Sequence, residues 1–203
     1  MNLDPACVAV GIVRAALNKL GRFDAVIHNA GVGYREGRVE MEPGVPSVFA
    51  VNVLAPYILT ALIERPKRLV YLSSGMHRGV RPRMDDLLWT KRSWRGSSAY
   101  AESKLCDVLL AFAVARRRKN VKTNALEPGW VATKMGGASA PDDLHQGCVT
   151  QAWLATSEDE FPRSSGGYFY HQRPRAPNPI AADLRIQEEL LAECRRISGI
   201  SLD

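Results

Sequence analysis

The strongest constraint on the fold is a set of short strand-like runs that show no regular apolar–polar alternation. They lie in DAVIHNAG (24–31), RLVYLSS (68–74) and VKTNALEPG (121–129). A strand with one wet face alternates apolar and polar side chains, whereas a strand covered on both faces has no need to. Each run closes on small or turn-forming residues: Asn29, Ala30 and Gly31, then Ser73 and Ser74, then Pro128 and Gly129. GGYFY (166–170) reads as a short fourth strand. Stretches with helical spacing separate the runs, at 5–20, 47–64, 98–118, 141–156 and 180–198. Asp4 is placed to cap the first and Ser47 the second, and Pro5 suits a first helical position. Strand–helix alternation of this kind predicts an α/β fold with a three-layer parallel sheet, in one domain over residues 1–203 with about four strands. Ligands of such sheets bind beyond the carboxyl ends of the strands, so the residues that close the runs define an expected site.

Composition narrows the function classes. The chain has 203 residues, 46% hydrophobic and 24% charged, which argues for a packed core and against disorder. Its net charge of +6 and pI of about 9.3 permit an acidic partner, either a phosphate-bearing cofactor or a nucleic acid. The basic residues are dispersed, however. The one dense run, RRRK at 116–119, falls at a helix end, where cations complement the dipole, and it reads as a solvated face. No nucleic-acid partner is expected. Cys7, Cys106, Cys148 and Cys194 stand far apart and read as buried free thiols in a reduced compartment. His28, His77, His145 and His171 lack ligand spacing, so no metal is expected. The longest apolar stretch, 49–63, contains Asn52 and Pro56 and is short for a membrane span. With a polar start at Met1 to Pro5, the expectation is a soluble, cytoplasmic protein.

The chemistry concentrates in SAYAESKLCDVLLA (98–111). Tyr100 and Lys104 lie four residues apart and share a helix face. A free tyrosine has a pKa of about 10. An ammonium one turn away favours its phenolate, bringing acid/base work within reach of neutral pH. A surface pair is the plain alternative. Other segments stand in a telling order around this pair: HNAG (28–31), VNVLAPY (51–57), YLSSG (71–75) and EPGWVATKM (127–135).

Taken together with the Tyr-x-x-x-Lys spacing, these segments resemble the short-chain dehydrogenase/reductase family over nearly the whole chain. Similarity is greatest to its retinol-dehydrogenase-like and ketoreductase-like branch. The resemblance implies a Rossmann-like fold and NAD(P)-linked interconversion of a carbonyl and an alcohol, with NADP slightly preferred. It assigns Tyr100 as acid/base, Lys104 as its tuner and ribose holder, Ser74 as substrate positioner and Asn52 as a water-mediated proton relay. Ser73 is then structural. Asn29, Ala30, Gly31, Pro128, Gly129, Val131 and Thr133 would contact the cofactor, Gly31 by tolerating unusual φ, and Asp4 would contact adenine. The substrate would be a bulky apolar carbonyl compound or alcohol, received by 75–97 and 136–144, with Trp89 and Trp94 either in its pocket or packing a loop. A homodimer through the helices at 47–64 and 98–118 is a further implication. The family's glycine-rich N-terminal motif has no counterpart in the sequence. That points to a domain incomplete at the N-terminus, with the first strand left as an open edge, weak cofactor binding and self-association. The rival reading is a non-catalytic relative serving as a binding or regulatory module.

Overall fold

The computed structural model describes residues 15–202 apart from 17, 20 and 36. The expected helix at 5–20 falls largely outside the described residues, although Ala15, Ala16, Asn18 and Lys19 are helical; Asp4 and Cys7 lie outside as well. The strands are β1 (Ala25–His28), β2 (Glu40–Glu42), β3 (Val45–Pro46), β4 (Arg68–Leu72), β5 (Lys122–Leu126), β6 (Tyr168–Tyr170) and β7 (Arg173–Pro174). The α-helices are α1 (Ser47–Phe49), α2 (Ala55–Leu62), α3 (Gly96–Arg117), α4 (Gln146–Thr156) and α5 (Leu184–Ser198). A π-helical segment, Ala50–Leu54, joins α1 to α2.

β1, β4, β5 and β6 pair in parallel and in chain order, so all four strands expected from the sequence are present. All five residues of β4 are buried, which is why its sequence does not alternate. Leu69 and Tyr71 point into a core shared with Leu105, Val108 and Leu109 of α3. Val70 and Leu72 point the other way, into a core with Leu154 of α4 and Phe169. Helices therefore cover both faces, in the three layers expected. Among the described residues β1 is an edge strand, with Ile27 38% exposed.

The sheet also holds a fifth strand, since β7 folds back antiparallel on β6 through His171 and Gln172, both at positive φ. Two left-handed residues in a row suit a tight hairpin turn. A separate hairpin, β2–β3, turns at Pro43-Gly44, with Gly44 at φ +81° as a Pro-Gly turn requires. Neither hairpin is foreseen in the sequence reading.

Several boundaries differ from expectation. Ser47 is the first helical residue rather than the cap; Pro46 stands at the N-cap and makes no side-chain bond there. The expected RRRK surface is not wholly solvated. Arg118 is buried and donates to the carbonyls of Thr60 (2.7 Å) and Leu202 (2.6 Å), while Arg116 and Arg117 pair with Glu188 of α5. The basic run thus ties the helix end to neighbouring elements. Cys106 and Cys194 are buried free thiols as expected, but Cys148 is exposed. From Ala99 to Ala115 nearly every residue of α3 is buried, packed by α5, by the 3-10 turn Pro179–Ala182 and by the sheet. The helix expected to face a second copy is thus already covered by its own chain. No helix among the described residues is long and apolar enough to cross a membrane.

α5 begins where Asp183 Oδ1 accepts the backbone N–H groups of Arg185 (2.9 Å) and Ile186 (3.3 Å). Asp183→Ala leaves both donors without that acceptor and is expected to cost about 1 kcal/mol in urea unfolding.

Candidate active site

The carboxyl ends of β1, β4, β5 and β6 open onto one cleft of about 970 Å³. Of the residues expected to act there, Asn29, Ala30, Gly31, Ser74, Tyr100, Lys104, Pro128, Gly129, Val131 and Thr133 all line it. Asn52 sits just beneath, and Asp4 is outside the described residues.

α3 brings Tyr100 and Lys104 to the cleft one turn apart, with Lys104 Nζ 5.9 Å from the centre of the Tyr100 ring. The Ser74 hydroxyl, at the end of β4, sits close enough to the Tyr100 phenol to pull its pKa down, and also accepts from the Met76 N–H at 3.3 Å. Tyr100 is only 7% exposed, and burial pushes its phenol above the ordinary tyrosine range, against the Lys104 ammonium and Ser74, which both pull it down. The expected net lowering by Lys104 is therefore overturned: desolvation of the buried phenolate outweighs the nearby positive charge. Tyr100 is held protonated.

One reason is a residue the sequence reading passed over. Asp107, one turn beyond Lys104, is buried and accepts from Lys104 Nζ at 2.8 Å. Its negative charge offsets part of the ammonium's pull on Tyr100. Nζ also donates to the Leu72 carbonyl at 2.8 Å, which leaves one of its three protons for the cleft. Burial pushes the Asp107 carboxyl up to about 6, with Lys104 opposing the rise. A carboxyl whose folded pKa exceeds its unfolded value of about 3.9 weakens the fold as it ionises. Relative to Asp107→Asn, the natural chain is thus expected to lose stability as pH rises from about 4 to about 6, measurable by thermal unfolding across that range.

Asn52 is placed by the π-helical segment and is 1% exposed. Its amide nitrogen donates to the Val32 carbonyl (3.1 Å) and to Ser103 Oγ (2.9 Å), and its oxygen accepts from the Val32 N–H (2.7 Å). These bonds pin the turn after β1 and leave only one lone pair for the expected relay water. Gly31 is not in the left-handed region, contrary to its expected role. A Cβ there would instead come into ordinary contact with Asn52 Oδ1 (3.4 Å) and Lys104 Nζ (3.7 Å). Gly129 does need its freedom, at φ +93°. Ser73 is buried and donates to the Lys104 carbonyl at 2.7 Å.

The cleft's far wall is the segment after β5. Trp130 bonds Asp142 through its backbone N–H (2.5 Å) and Gly136 through its indole (2.9 Å), and Thr133 Oγ1 accepts from the Gly136 N–H (3.1 Å). Tyr34 meets the Tyr100 ring edge-on, 5.8 Å between centres, and also lines the cleft. Trp89 and Trp94 do not line it. They pack on each other (5.6 Å) and against Val48 and Ala99, with the Arg92 guanidinium 3.5 Å over the Trp89 ring. The apolar lining comes from Met76, Trp130, Met135, Leu144 and Tyr170 instead. The described residues hold no cluster of three or more His, Cys, Asp or Glu able to bind a metal ion.

No family model matches the chain. Curated relatives do. Short-chain dehydrogenase chyC of Penicillium rubens is 37% identical over 190 residues, which cover 91% of this chain and 72% of that protein. Human retinol dehydrogenase 13 is 31% identical over 204 residues, covering 88% of this chain and 61% of that one. Among solved structures, an uncharacterized protein from Mycobacterium paratuberculosis superposes with a TM-score of 0.79 at 21% identity, covering 96% of this chain and 74% of its own. A short chain dehydrogenase from Shigella flexneri complexed with NADP gives 0.58 at 21% identity, covering 85% and 74%. The order of segments, the strand-end cleft and these relatives agree: the chain belongs to the short-chain dehydrogenase/reductase family of oxidoreductases.

Proposed function

We propose that the cleft interconverts a carbonyl and an alcohol with NAD(P), acting on a bulky, largely apolar substrate. The observation that carries this reading is the convergence of the Tyr100 phenol, the Ser74 hydroxyl and the Lys104 ammonium at the rim where four parallel strands end. The residues fit a nicotinamide nucleotide. Gly31 leaves open the space a Cβ would fill beside Asn52 and Lys104, and Lys104 keeps one proton free for a ribose hydroxyl. Pro128, Gly129, Val131 and Thr133 would flank the nicotinamide and Asn29 to Gly31 the adenosine side; all of them line the cleft. The bound nicotinamide supplies or accepts a hydride.

The chain's own residues do the rest. Ser74 Oγ holds the substrate oxygen next to Tyr100. Tyr100 Oη donates its proton to that oxygen in reduction and takes it back in oxidation. Lys104 steadies the phenolate left behind, while Asp107 and the Leu72 carbonyl fix where its charge sits. Asn52 holds the turn that borders Lys104. Met76, Trp130, Met135 and Leu144 offer the body of the substrate an apolar wall.

The test is a reduction assay on the full chain with NADPH and, separately, NADH, offered aromatic ketones. Alcohol formed in step with cofactor oxidised is the expected result. No alcohol with either cofactor, alongside ligand binding in the cleft, would favour the non-catalytic module.

A further inference from the structure

The structure assigns an acid-reading role to Arg175: we infer that the substrate carries a carboxylate as well as its reacting carbonyl. This rests on the hydride-transfer reading of the cleft and names the substrate class within it.

The observation is a charge cluster next to Ser74 that the mechanism does not use. Glu127, just past the end of β5, is buried, and its carboxylate lies over Gly75, where a Cβ would collide with Oε2. Two arginines bond the other oxygen, Oε1: Arg78 from the 3-10 segment Gly75–Gly79, and Arg175 at 2.8 Å. Within this trio one carboxylate faces two guanidiniums, with Asp142 the other carboxylate near the Tyr170 side of the cleft. Arg175 and Glu127 both line the cleft, and Arg175 is the more accessible, its side chain 44% exposed against 6% for Glu127.

Arg175 is also pre-set. Its backbone N–H donates to the Tyr168 carbonyl (2.8 Å), its guanidinium lies 4.7 Å over the Tyr170 ring, and Pro174 precedes it. Its Nη1 is spent on Glu127, but Nε and Nη2 have no hydrogen-bond partner among the described residues. That pair of donors is the fork that grips a carboxylate at both oxygens. Because the arginine is already held, ordering it costs the ligand little. The Tyr170 ring shields one face of the guanidinium, which strengthens a charged contact there by thinning the water. A purely structural clamp between β5, β7 and the loop after Ser74 would be indifferent to the charge of a ligand.

The test is calorimetric titration of the full chain with 4-acetylbenzoate and with its neutral methyl ester, which share ring and ketone. The acid is expected to bind at least about tenfold more tightly, with the gap shrinking as salt rises. Arg175→Gln is expected to close the gap and leave the ester's affinity in place. Arg175→Lys, which keeps the charge without the fork, is expected to leave an intermediate gap. Equal binding of acid and ester by the natural chain overturns the inference, as does binding of neither. So does a variant that weakens both in proportion. Turnover separates this from the underlying reading. If the acid preference holds but neither ketone is reduced, the acid site stands and the redox reading falls. If both are reduced with equal kcat/KM, the reverse is true.

Discussion

Tyr100→Phe is expected to lower the rate of carbonyl reduction by about 10²–10⁴-fold, the usual worth of a positioned general acid. The change removes one oxygen atom and little packing. The ring stays in its buried seat, with the edge-on contact to Tyr34 intact. What goes is the phenol that sits next to Ser74 and Lys104. Substrate binding should survive, since Ser74 and the apolar lining remain. The loss should therefore fall on kcat rather than KM, which steady-state kinetics would show directly. A similar fall in ligand affinity would mean that Tyr100 only binds. Because burial holds this phenol above its ordinary range, the proton-donating direction is expected to keep its rate well into alkaline pH in the natural chain.

The second large effect is on stability. Lys104→Met leaves Asp107 buried without its ion-pair partner, and breaking a buried pair by removing one member costs about 3–5 kcal/mol. The cost should depend on pH in a defined direction. Burial already lifts the Asp107 carboxyl to about 6, and losing the ammonium lifts it further. In acid the carboxyl takes up a proton and the penalty shrinks. As pH climbs from the unfolded carboxylate range of about 4 through the folded value, the penalty grows to its full size. Urea unfolding at acid and neutral pH checks this. Adding Asp107→Leu to Lys104→Met should return much of the stability, because an apolar pair can replace a buried ion pair at little cost. A Lys104→Met variant as stable at neutral pH as in acid would show that Asp107 does not depend on Lys104.

The fold was legible where burial is two-sided. β4 carries an almost unbroken apolar run because α3 covers one face and α4 the other, while β5 buries Thr123 and Asn124 beside Ala125 and Leu126 in the same two-sided setting. The turn residues closing those runs point to the cleft for the same reason. The two hairpins were harder, since each strand has only two or three residues. The Pro43-Gly44 pair was the one local signal for the first. Arg118 and Asp107 show the limit of reading charge from sequence. Both look like ordinary helix-surface residues at i,i+3 or end positions. Their burial comes from elements distant in sequence: Thr60 and Leu202 for Arg118, the Leu72 carbonyl shared through Lys104 for Asp107. Trp89 and Trp94 drew attention as bulky apolar residues in a polar stretch. Their partners, Val48 and Ala99, lie on helices flanking the cleft rather than in it. Glu127 had a sequence position, next to Pro128, but its two arginines come from the loop after β4 and from the segment after β7.

The central claim is that hydride and proton meet at one carbon–oxygen bond held between Ser74 and Tyr100. Isotope transfer tests it most directly. The full chain is incubated with an aromatic ketone and NADPH deuterated at nicotinamide C4, each face in turn, and the product is weighed by mass spectrometry. One of the two labelled faces should deliver a single deuterium to the carbinol carbon, and the Tyr100→Phe chain should deliver almost none. Alcohol that carries no deuterium from either face, or equal product from both chains, would contradict the account.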